Sequence, residues 1–146
     1  MPKRILAPLD HHSDVESVLP IVTDIARAAG ASIRLLHVVP LPGNIETPDG
    51  RVIAYASQEM DRLEAEHSER LRAIAETRLA GVPVECVVRF GETARAILGE
   101  IDVFDADLVA VGTKTRSSLS RALLGSVAEE LVRKAPVAVM LIRAAP

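Results

Sequence analysis

Two short segments carry residues that could serve a ligand. In the first, Pro8-Leu9-Asp10, a carboxylate follows directly on an apolar run. In the second, Val111-Gly112-Thr113 closes another apolar run, and twelve residues after Thr113 comes Gly125-Ser126 at the head of a predicted helix. A helix start offers peptide N–H groups without partners and a partial positive charge, a pairing that favours phosphate. Glycine at 125 lets the backbone approach such a ligand with no Cβ in the way, and Ser126 adds a hydroxyl. Residues 114–121 between them bring Lys114, Arg116, Arg121 and several hydroxyls, a set suited to a chain of phosphoryl groups. The Gly-Ser pair is equally an ordinary helix cap, and a basic polar loop is often only solvated, so spacing alone leaves both readings open. The chain has no GK[ST] element of a P-loop, and no GxGxxG follows the first apolar run.

The other reactive side chains point to quieter roles. His11 and His12 are adjacent, and neighbours on a loop rarely aim at one ion; with no Cys or Glu nearby they read as a solvated lining of a site mouth, and no metal site is expected. His37 lies in an apolar run and reads as a satisfied structural histidine, while His67 sits on a helical apolar stripe bordering the core or a subunit contact. Cys86 is the only cysteine, so no disulfide can form within the chain, and its apolar surroundings suit an inert thiol. Asp10 is the acidic group expected to matter, its plainer role being to cap the loop that follows. No Ser–His–Asp, Cys–His or paired-carboxylate set can be argued, so no catalytic residue is expected. Asp10 and the loop hydroxyls would support at most slow phosphoanhydride hydrolysis, since phosphoryl transfer needs mainly positioning and charge.

The elements that must position these residues follow from apolar periodicity. Strands are predicted over residues 4–9, 32–39, 84–89, 107–111 and 137–142. Helices are predicted over about 57–80 and 126–134, over a segment ending at Ala29, and over a segment from Ala94 to Ile101 capped by Thr93. Pro20 either kinks the first helix, if Ser13 caps it, or marks a late start capped at Ser17. Residues 40–54, rich in Pro and Gly, are expected to form a mobile loop. Strands alternating with helices imply an α/β fold: a parallel sheet covered on both faces, with ligands bound beyond the carboxyl ends of strands where strand order reverses.

Composition agrees. The 146 residues suit one domain, 1–146, and with two Phe, one Tyr and no Trp the core must be aliphatic, as buried parallel strands are. A net charge of −3 argues against a nucleic-acid binder. No stretch approaches the roughly 20 apolar residues of a membrane span, and the first apolar run is too short for a signal peptide, so a cytoplasmic protein is expected.

In their order and spacing, APLD at 7–10, LLHVV at 35–39, GTKTRSSLSRALLGS at 112–126 and VAEELVRKAPVAVMLIR at 127–143 resemble the universal stress proteins over essentially the whole chain. The resemblance implies a Rossmann-like open sheet of five parallel strands in the order 3-2-1-4-5, which sets strands 1 and 4 side by side at the reversal. It implies a stress-response regulatory module that binds an adenine nucleotide there: ATP, with or without Mg2+. Asp10 would lie near the ribose or a phosphate-bound metal, and Val38 would meet the adenine through its backbone. Gly112, Gly125, Ser126 and Val127 match the phosphate-holding positions, and Pro8, Leu9, Val111, Thr113, Thr115 and Arg116 complete the expected contacts. A homodimer through residues 137–142 and an unidentified protein partner are also implied.

Two departures stand out. Thr115 replaces the second glycine of the family's G-x2-G-x9-G-[ST] motif. A β-branched residue forced to positive φ there costs about 1–2 kcal/mol, roughly tenfold in affinity; alternatively its hydroxyl contacts phosphate or ribose. His11-His12 stands where the family often has a small residue, which leaves the role of Ser13 open. The rival to nucleotide binding is therefore a nucleotide-free dimeric interaction protein of the same fold. Retention of two of the three motif glycines favours binding.

Overall fold

The apolar runs become strands and the helical stripes become helices in strict alternation around one parallel sheet. A computed structural model describes residues 1–10, 12–113 and 125–143. Its strands are β1 (Arg4–Pro8), β2 (Ser32–Val39), β3 (Ile45–Glu46), β4 (Val52–Ala54), β5 (Val84–Phe90), β6 (Leu108–Thr113) and β7 (Ala138–Arg143). Its helices are α1 (His12–Ala29), α2 (Ala56–Arg78), α3 (Thr93–Phe104) and α4 (Ser126–Lys134). The main sheet runs β5-β2-β1-β6-β7 with every pair parallel, which is the expected 3-2-1-4-5 when its own strands are numbered in turn.

Both faces of the central strands are apolar, and alternation divides them between two helical layers. Ile5, Ala7, Ile33 and Leu35 pack against Val18, Leu19, Val22 and Ala26 of α1 and Leu71 of α2. Leu6, Leu36, Val38, Val109 and Val111 pack against Ile97, Ile101 and Phe104 of α3 and Ala128 and Leu131 of α4.

A buried charge network fixes α3 to the sheet. Glu100 of α3 is 2 % exposed and accepts from Arg34 of β2 at 2.7 Å and from Arg89 of β5 at 2.9 and 3.1 Å. The Arg34 guanidinium also lies 4.4 Å from the Phe104 ring centroid. Burial works against the Glu100 charge, but the hydrogen bonds from Arg89 and Arg34 outweigh it and hold the carboxyl below its usual range.

Three local expectations are corrected. Residues 40–54 are not simply a loop, because β3 and β4 pair antiparallel. Their turn is closed by Gly50 N–H to Thr47 O at 2.9 Å and Arg51 N–H to Thr47 Oγ1 at 3.0 Å. Thr93 does not cap α3; Glu92 does, accepting from the Ala94 and Arg95 amides at 3.1 and 2.9 Å. A carboxylate at this end satisfies two amides and meets the helix dipole as well. Pro20 does not mark a late helix start, since α1 runs continuously through it from His12.

Pro20 is exposed and interior, so it removes an N–H that would otherwise bond the Glu16 carbonyl and packs little in return. Pro20→Ala is expected to raise stability by about 1–3 kcal/mol in urea unfolding. A variant no more stable than the parent would show that α1 has adapted to the proline.

Candidate functional site

The site begins with a missing hydrogen. Backbone N–H groups alternate sides along a strand. Leu9 N–H reaches across to Leu36 O of β2 at 2.8 Å, so position 8 faces β6. There Pro8 has no N–H to donate. Pairing of β1 with β2 continues through Pro8↔Leu36, but pairing with β6 covers only Ile5↔Leu108 and Leu6↔Val109. Released from each other, the carboxyl ends of β1 and β6 border a crevice enclosing about 540 Å³, solvent at its mouth included.

Eight of the expected site residues line it: Pro8, Leu9, Asp10, Val38, Val111, Gly112, Gly125 and Val127. Thr113 and Ser126 do not; Thr113 is buried in β6 and Ser126 is exposed at the start of α4. Thr115 and Arg116, with the rest of the basic loop and His11, lie outside the described residues, as do the side chains of His12 and Ser13.

Five lining residues were not anticipated: Asp14, Leu36, Thr93, Ile97 and Ala128. Leu36, Ile97 and Ala128 look like ordinary core residues in sequence; with Val38, Val111 and Val127 they give the crevice an apolar slot. Asp14 could have been found, since it stands four residues after Asp10 in the first turn of a helix, where a carboxylate is favoured. It is 8 % exposed, and its Oδ2 accepts from the Asp10 amide at 2.9 Å.

The two motif glycines that fall in the described residues serve different needs. At Gly112 the need is space. A Cβ built there would run into Asp14 Oδ1 and stand 3.3 Å from Val18 Cγ2, so this glycine lets α1 and its carboxylate approach β6. At Gly125 the need is conformation: φ is +90°, and no described atom lies within 4 Å of a built Cβ.

The helix ends at the crevice differ electrically. The α3 start is occupied by Glu92. The α4 start has Gly125 as its cap residue, and among the described residues no side chain caps it, the kind of helix end that suits an anionic acceptor. One wall thus carries the carboxylates of Asp10 and Asp14, and the other carries the start of α4 at Gly125.

A sequence model of the universal stress protein family matches residues 1–143. The chain belongs to that family. A universal stress protein of Thermus aquaticus, encoded in the 3′ region of a QAH/OAS sulfhydrylase gene, is 30 % identical over 143 residues, spanning 97 % of this chain and 98 % of the relative. Among solved structures, the universal stress protein UspA of Lactobacillus plantarum superposes with a TM-score of 0.71 at 21 % identity, covering 97 % of each chain. The Archaeoglobus fulgidus universal stress protein, solved in complex with dAMP, gives 0.64 at 22 % identity, covering 97 % of this chain and 98 % of that one. At these identities the two structures establish the fold.

Gly112→Ala is expected to lower the stability of this family member by about 1–3 kcal/mol, the cost of overpacking, because the new methyl must displace Asp14. Urea unfolding at neutral pH measures it. Parental stability would mean that α1 gives way freely.

Proposed function

We propose that the crevice between β1 and β6 holds an adenine nucleotide, and that the protein is a stress-response binding module rather than an enzyme. The observation that carries this is the unequal capping of α3 and α4 at the crevice: Glu92 fills the α3 amide end, while among the described residues no side chain caps the α4 amide end at Gly125. A phosphate is the natural acceptor for such an end. The base would take the apolar slot of Leu36, Val38, Ile97 and Val111, with the Val38 backbone reading its edge. Asp10 and Asp14 suit the hydroxyls of a sugar, or a Mg2+ ion that accompanies phosphate. The dAMP complex of the Archaeoglobus relative supports an adenine nucleotide as the ligand class. ATP is our choice within that class because the cations and hydroxyls of residues 114–121 match an extended phosphate chain.

We place the protein in the cytoplasm as a homodimer through β7, an edge strand that leaves one row of backbone groups without a strand partner in the main sheet. Among the described residues no helix is long and apolar enough to cross a membrane. Thr115, in place of a motif glycine, favours a second reading, in which the fold and dimer are kept without a nucleotide.

Thermal melting with AMP, ATP and ATP–Mg2+ separates the two. A ligand at about 100 times its Kd adds about 2.7 kcal/mol, which for a domain of this size raises Tm by roughly 5–10 °C. Gly125→Ala strains the α4 cap and is expected to weaken binding about tenfold. A flat response to millimolar nucleotide would sink the binding reading and leave the second. Sedimentation equilibrium tests the dimer: the expected mass is twice that of the chain, and a monomer at tens of micromolar would remove β7 as an interface.

A further inference from the structure

On the opposite face of the sheet from the adenine slot, a second cavity of about 610 Å³, its mouth included, lies between β2, α1 and α2. It is lined by Val15, His37, His67, Arg70, Leu71 and Ile74, and it shares Leu9 and Asp10 with the crevice. The Leu9–Asp10 segment is thus a partition with the candidate ligand site on one side and two histidines on the other.

The contacts across this partition are specific. The Leu9 carbonyl can only accept, so the 2.8 Å contact from His37 Nδ1 makes that nitrogen the donor and fixes the imidazole tautomer. Both backbone groups of Leu9 are therefore held by β2, the amide by Leu36 O and the carbonyl by the His37 ring. His37 is followed by Val38, which lines the slot. The His37 ring in turn stacks on His67 of α2, with centroids 4.5 Å apart and planes tilted by 33°.

We propose that His37 is a positioning residue for the nucleotide crevice, and that its stack with His67 makes the Leu9–Asp10 wall, and hence nucleotide affinity, dependent on protonation. This rests on the nucleotide reading given above for the crevice. With at most one of the two rings cationic, the rings stay stacked and Leu9 stays anchored. Two charges at this separation repel each other, and the pull falls on the contact between α2 and β2 that seats the His37 ring.

The surrounding charges sharpen the effect. His67 faces Arg70, Arg62 and Glu66 from its own helix, His37 from β2 and, across the cavity, Asp10 from the end of β1. From α1 it meets the apolar Val15, and on β5 the register partner of His37 is Val88. Burial first, then His37 and Arg70, lower the His67 pKa below the ordinary 6.5, with Glu66 opposing. The sign follows: in mild acid the unfolded chain takes this proton more readily than the folded one. Stability from neutral His67 is complete above about 6.5 and is lost as pH falls below it.

Two arms test this. In the first, AMP affinity is measured by calorimetry from pH 7.5 to 5.5. The parent is expected to weaken by roughly tenfold, within the usual range of coupling between two sites. His67→Gln, which keeps a polar side chain but does not titrate, should bind comparably at pH 7.5 and weaken clearly less than the parent on acidification, keeping only the part due to protonation of the AMP phosphate. His37→Asn, which can still donate to Leu9 O, should bind more tightly than His37→Leu. In the second arm, without ligand, the hydrogen-exchange protection of the Leu9 amide is expected to fall between pH 7.5 and 5.5 in the parent and to hold in His67→Gln. Equal pH dependence of parent and His67→Gln in either arm overturns the proposal. Absence of AMP binding at every pH would overturn the nucleotide reading instead, and the ligand-free arm would still decide the proton coupling.

Discussion

The crevice exists because β1 cannot hydrogen-bond to both neighbours along its whole length. On the β2 side the ladder continues past the strand end, through Pro8↔Leu36 and on to Leu9 N–H. On the β6 side it stops at Leu6↔Val109, and the next position that would donate toward β6 is a proline. In the interior of a parallel sheet an interrupted ladder is costly. At the point where strand order reverses, it instead separates two strand ends and leaves a wall of each for a ligand. Every other feature of the site is arranged around that gap.

The walls are made rigid by different means. Leu9 and Asp10 are tied from behind, Leu9 by β2 and its histidine and Asp10 by Asp14 from the first turn of α1. Gly112 permits that second tie, because only a residue without a Cβ lets the carboxylate sit against β6. The far wall is held by the aliphatic cluster under α3 and α4 and by the Glu100 network, which clamps α3 to β2 and β5. Glu100 is the buried centre of that network, paired to Arg34 and Arg89 at once, so α3 and the Thr93 and Ile97 it supplies are strongly fixed in place.

The same packing sorts polarity across the gap. Carboxylates gather where α1 begins, and α4 begins at Gly125 with no side-chain cap among the described residues. Glu92 occupies the amide end of α3. On the proposed reading, a ligand with donor groups at one end and an anion at the other would meet the crevice in a single orientation, its apolar part over Leu36, Val38 and Val111.

The sequence by itself determined the α/β alternation, the aliphatic core and the identity of the strand ends that carry chemistry, because these are local: apolar period, helix stops and a proline or glycine at a turn can be read along the chain. It also carried the family's motifs, and with them the strand order. Other features are decided by contacts between residues far apart. That Gly112 serves Asp14, and that Leu36, Ile97 and Ala128 form a slot as well as a core, depends on which helix lies over which strand. That His37 holds Leu9, 28 positions away, depends on the β1–β2 register. Glu92 supplanted Thr93 as a cap, and residues 45–54 paired as a hairpin, because several weak local preferences were open and only the surrounding backbone could select among them. Pro20 is the converse case: local propensity opposed a helix there, and the tertiary burial of Val18, Leu19 and Val22 overruled it.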